Sequence, residues 1–149
     1  MANTGLKAFD TTVEKTNIWL KEIMEDMGTD DRHRAYLALT AVLHALRDRL
    51  PVDEVVNLGA QFPMLIRGLY YEGWDPQCQP VKHNRESFFQ YIREHFRNEP
   101  DMDADCVARA VFKVISNRIA EGEIKGVKSI LPGDLRELWE PEPARMKCQ

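Results

Sequence analysis

Residues 41–70 read AVLHALRDRLPVDEVVNLGAQFPMLIRGLY, and residues 110–139 read AVFKVISNRIAEGEIKGVKSILPGDLRELW. The second stretch lies on the first without a gap, 69 positions further along. Ala41, Val42, Arg49, Glu54, Pro63, Arg67 and Leu69 meet identical residues, and most other apolar positions exchange one apolar side chain for another. The match continues upstream, where Trp19 meets Phe88, Leu20 meets Phe89, Ile23 meets Ile92 and Met27 meets Phe96. The chain is thus read as two copies of one unit.

The unit is helical. Phe9, Val13, Thr16, Trp19, Leu20, Ile23 and Met27 recur at three- and four-residue steps, and Gly28 supplies a stop. Thr29, Asp30 and Asp31 offer a cap and acids for the next helix, where carboxylates suit the positive end of the dipole. That helix carries Ala35, Leu39, Val42, Leu43, Leu46 and Leu50 on one stripe, widened by Leu37, Ala38, Ala41 and Ala45. So broad an apolar surface predicts a central helix with several neighbours. Pro51 breaks it, a short helix follows over Val52 to Ala60, and Pro63 opens another running to about Tyr71. The second copy replays this order: Ser87 to Phe96, a helix after Asp101, Asp103 and Asp105, then short helices near 122–129 and 132–139. No strand pattern occurs.

The expected architecture is all-α, about eight helices in two four-helix repeats related by a pseudo-two-fold and sharing one core. Repeat 1 covers about 9–72, a linker 73–84 and repeat 2 about 85–139, with a flexible tail over 140–149. One core of 65–70 residues rarely stabilises itself, about the size of each half, so the halves are expected to pack together as a single 1–149 domain.

Composition narrows the function classes. The 149 residues carry a formal net charge of −4, and the basic residues Arg47, Arg49, Lys125 and Lys128 are interleaved with acids. No basic stripe for nucleic acid emerges. No apolar run approaches the length of a membrane span, and the N-terminus lacks a signal-peptide pattern. Cys78, Cys106 and Cys148 are odd in number and share no metal-ligand spacing, so they read as reduced thiols in a cytoplasm.

Residues able to carry chemistry have duller explanations. Asp101, Asp103 and Asp105 resemble the opening of a calcium loop, but Cys106 stands where glycine is needed and Phe112 where a glutamate belongs. They read as helix-start acids. Of the four histidines, His33, His44, His83 and His95, the first two share a face three turns apart, about 16 Å, too far for one metal. Asp31, Arg32 and His33 lack a counterpart in the second half, and an exposed first helical turn explains them. The repeated pairs Arg49/Arg118, Glu54/Glu123 and Arg67/Arg136 point to a role in the shared fold, since one asymmetric active site would need only one copy. Tyr71 and Trp74 are left unexplained by the repeat; they read as packing between the two halves, or, since large aromatics favour interfaces, as a partner or ligand site.

Asp31-Arg-His-Arg-Ala-Tyr, Ala41 through Pro51, Leu58 through Trp74 and the closing Leu131-Pro-Gly-Asp-Leu-Arg-Glu-Leu-Trp resemble the bacterial "domain of unknown function 2267" family. The resemblance spans about Phe9 to Trp139. It implies a soluble, bacterial, helical protein and brings no established activity, cofactor or catalytic residue. The sequence thus predicts a cytoplasmic, non-catalytic interaction or binding module with a protein partner or self-association. It implies no catalytic residue, metal or cofactor, no nucleic acid and no membrane. Arg67, Tyr71, Trp74 and Arg136 are the expected interaction or ligand surface. The alternative is an anionic small-molecule binder or enzyme, with Arg67 and Arg136 facing its ligand across a cleft between the repeats.

Overall fold

The computed structural model describes residues 3–78, 80–82, 84–99 and 102–140. The proposed tail over 140–149, beyond its first residue, together with His83, Asp101 and Cys148, lies outside the described residues. Among those described there are eight α-helices and no strand: α1 (Lys7–Met27), α2 (Arg32–Arg49), α3 (Val52–Gly59), α4 (Met64–Tyr71), α5 (Arg85–Glu94), α6 (Ala104–Arg118), α7 (Glu121–Ile130) and α8 (Gly133–Arg136). Short 3₁₀ turns follow α4, at Pro76–Cys78, and α8, at Glu137–Trp139.

Helix ends sit where local chemistry puts them. Gly28 closes α1 at φ 74°, a left-handed conformation glycine adopts without penalty, and its amide donates to the Glu25 and Met24 carbonyls. Asp31 caps α2 by accepting from the Arg34 amide, and Asp103 caps α6 by accepting from the Cys106 amide. Asn84 and Ser87 exchange side-chain and backbone bonds at the start of α5. Pro63 and Pro132 precede α4 and α8 at nearly the same dihedrals, ψ 153° and 155°.

The core is one cluster with α2 at its centre. Ala35, Ala38, Leu39, Val42, Leu43 and Leu46 are fully buried, because α2 packs on α1, α4, α5 and α6. Positions 69 apart share this fate: Leu43 and Phe112, Leu46 and Ile115, Val55 and Ile124, and Ile66 and Leu135 are all buried. Several helix pairs join the halves. α1 lies on α6 and α5 on α2, while α2 faces α6 and α3 faces α7.

The halves differ at their first helices. α1 begins at Lys7, whereas α5 begins only at Arg85, so α1 extends further back than α5 by about two and a half turns. Phe9, expected inward as the first member of the α1 stripe, is therefore half exposed, on an overhang that the core does not reach.

Each half also secures the end of its last helix with an arginine, but from different positions. Arg47 of α2 is 3% exposed and donates from Nη1 to the Tyr70 and Glu72 carbonyls, both at 2.9 Å, while its Nε pairs with Asp48 at 2.8 Å. One turn back, His44 Nε2 meets the Leu69 carbonyl at 2.7 Å. Together they occupy carbonyls that the C-terminus of α4 leaves without helical partners. In the second half Arg109 of α6 holds the Glu137 and Glu140 carbonyls instead, and pairs with Asp105.

Candidate functional site

Arg67 and Arg136 do the same job in their own halves. Arg67 donates from Nε to the Gly59 carbonyl (3.1 Å) and from Nη2 to the Phe62 carbonyl (3.0 Å). Arg136 donates from Nε to Lys128 (2.9 Å) and from Nη2 to Leu131 (2.8 Å), each acceptor again 69 positions on. The repeated arginine thus ties the third helix of each half to the fourth. Both keep their charge at the surface, yet they do not converge: Arg67 lines a groove with Lys15 and Arg118, and Arg136 is not among its lining residues.

Tyr71 and Trp74 turn inward. Their rings stack at a tilt, 5.6 Å between centroids, Tyr71 also meets Tyr70 edge-on at 5.0 Å, and both are half-buried against the core. A Cβ placed on Gly59 would overlap the Tyr71 ring, with Cζ only 2.7 Å away. Gly59→Ala should therefore lower stability by about 1–3 kcal/mol, read from the urea midpoint, because Tyr71 is wedged between Tyr70 and Trp74.

Asp31, Arg32 and His33 are occupied structurally. Asp31 caps α2, Arg32 donates to Asn17 Oδ1 at 2.6 Å, and the exposed His33 stacks on Tyr36. Among the described residues no three histidine, cysteine or acidic side chains are placed to hold a metal ion. Cys78 is an exposed free thiol, but the Asp75 carboxylate accepting from it raises its pKa, the wrong direction for a nucleophile. Cys106 is buried and disulfide-bonded, so the expectation of three reduced thiols fails there. The cytoplasmic expectation loses the support it drew from those thiols. No helix among the described residues is long and apolar enough to cross a membrane.

Two histidines that sequence spacing kept apart come together across the halves. His44 on α2 and His95, just past α5, stand 6.4 Å apart between ring centroids. Their counterparts 69 positions away are Lys113 and Asp26, which form an ion pair at 3.3 Å. The equivalent positions are thus also in contact, through an ion pair in place of two imidazoles. Burial, ahead of any charge, lowers the His44 pKa below the usual histidine value. The unfolded chain then binds the proton more readily than the folded one. Stability should be full above pH 6.5 and fall as the pH drops below it. Urea midpoints at pH 7.5 and 5.5 should differ more for the native chain than for His44→Gln, whose amide can still donate to Leu69.

The clearest departure from the repeat is a groove between α1 and the start of α4, enclosing about 480 Å³ in its deeper part. Its mouth exposes Ile18 (46%), Met64 (53%) and, alongside, Leu65 (41%). Lys7 and Lys15 of α1, Arg67 of α4 and Arg118 of α6 supply its charge. Thr12 fixes the two helices to each other, its hydroxyl accepting from the Leu65 amide at 2.8 Å. The equivalent positions of the second half are polar or small. There Ser87, Gly133 and Asp134 replace Ile18, Met64 and Leu65. Arg85 ties α5 to α8 through the Asp134 carbonyl (2.7 and 3.0 Å) and Glu137 (3.0 Å). Both halves bury the same core, so the fold does not demand apolar side chains at these surface positions.

No curated protein matches the chain. The family model of an uncharacterized conserved protein, DUF2267, matches residues 16–138, which takes in every helix from the middle of α1 to α8. The chain belongs to the DUF2267 family.

Proposed function

We propose that this chain is a non-catalytic interaction module, two tandem repeats about a pseudo-two-fold axis, which docks a partner protein in the α1–α4 groove. The observation that carries the reading is the contrast between the halves. Where repeat 2 carries the half-buried, hydrogen-bonded polar residues Ser87 and Asp134, repeat 1 exposes the apolar Ile18 and Leu65. Contiguous exposed apolar side chains with a polar rim are the usual mark of an interaction surface. This moves the expected surface from Tyr71 and Trp74, which are packed on the core, to residues beside Arg67.

The test uses the second half as its own control. Ile18→Ser with Leu65→Asp installs the residues that repeat 2 carries. The double variant should keep the native urea midpoint within about 0.5 kcal/mol, as surface changes usually do. A loss of several kcal/mol would show that these side chains hold the fold together, and the docking reading would fall.

The anionic-ligand alternative retains one specific observation. Lys15, Arg67 and Arg118 line the groove with no acid among its lining residues, although Arg118 also pairs with Glu22. If small anions are the ligand, inorganic phosphate or citrate should raise the melting temperature of the native chain, and Lys15→Glu should abolish the rise.

A further inference from the structure

We infer that the occupant of the α1–α4 groove is an acidic amphipathic helix belonging to a partner protein. The inference rests on the docking reading above and names the chemistry of the partner.

Charge is the first argument. The whole chain carries −4, yet the two adjoining parts of the groove are lined by the cations Lys7, Lys15 and Arg67, by Arg118, whose charge is shared with Glu22, and by no aspartate or glutamate. Arg67 spends two of its donors on backbone carbonyls, which leaves its positive charge uncompensated. A partner with carboxylates flanking an apolar stripe would meet cations on both walls, while a basic one would be repelled.

Shape is the second. From Lys7 to Ile18 the α1 wall runs about 16 Å, three helical turns, opposite the first turn of α4. Apolar side chains of a docked helix, spaced three and four residues apart, would fall between Ile18 and Met64. Other peptide modes lack their requirements here. The described residues contain no strand edge for an added strand. The groove's two aromatic side chains, Trp19 and Phe62, are buried at 3% and 2%, leaving no aromatic shelf for a proline-rich segment.

The test is a titration of the full chain, isotope-labelled, with three model helices that share one leucine stripe and carry acidic, neutral or basic polar faces. The acidic helix should shift the methyl signals of Ile18, Met64 and Leu65 and bind at least about tenfold tighter than the neutral one. Lys15→Glu should weaken it by about tenfold, and added salt should do the same. Equal binding of the neutral helix at the same methyls would overturn the acidic partner while leaving the docking groove standing. No shift at these methyls with any helix would overturn the helical occupant; the docking reading itself then rests on the stability of Ile18→Ser with Leu65→Asp. Binding to phosphatidylserine–phosphatidylcholine vesicles through these methyls, or self-association of the chain blocked by Leu65→Asp, would replace the partner helix with a membrane surface or a second copy, and so also overturn it.

Discussion

Arg47→Ala is expected to cost about 3–5 kcal/mol of folding stability, measured as the shift in urea unfolding, because it strips the partner from a buried ion pair. The guanidinium is nearly sealed from water and donates at once to Asp48 and to the Tyr70 and Glu72 carbonyls. Alanine would leave a largely buried carboxylate and two helix-end carbonyls without those donors. Arg47→Lys should recover only part of the loss, since an ammonium lacks the planar fork that spans all three acceptors. A cost below about 1 kcal/mol would place Arg47 among ordinary surface pairs, and the account of how α4 is anchored would be wrong.

An even larger effect is expected when the halves are separated. Residues 1–75 contain α1 to α4 entire, yet in the full chain α2 also packs on α5 and α6, and α1 on α6. Cutting there exposes faces on which Ala38, Val42, Leu43 and Leu46 are now fully buried. A unit of this size has little core to spare. The fragment should show no cooperative thermal transition, and mixing it with residues 76–149 should restore one. A fragment that is folded, monomeric and cooperative would remove the shared core from the account.

Helix order and most helix boundaries are legible in the sequence. Gly28, Asp31, Pro51, Pro63 and Asp103 act through their own backbone chemistry within a few residues of their place in the chain. The same locality explains what escaped. Arg47 reads as one more charge in an alternating run. Its burial depends on α4 ending against α2, some 23 residues further along. His44 and His95 were unpairable by spacing because they meet only where α5 crosses α2. The groove was hidden for a similar reason. Ile18 lies off the apolar stripe of α1, and Met64 and Leu65 open α4; that they meet at one groove depends on how α1 meets α4. One signal was nonetheless available. At each of these sites the repeat is broken in chemistry: Arg47 against Ser116, Ile18 against Ser87, Leu65 against Asp134. Positions that differ in kind between the two aligned stretches are those at which each half makes contacts of its own.

The most direct test of the central claim is photo-cross-linking in the native cells. A benzophenone side chain would replace Met64 in one version of the full chain and Gly133, its counterpart in the second half, in another. If repeat 1 alone carries the docking surface, position 64 should link to a discrete partner peptide and position 133 should not, with the position 64 product lost on Ile18→Ser. The same products at both positions, or a discrete product at 133 and none at 64, would contradict the account.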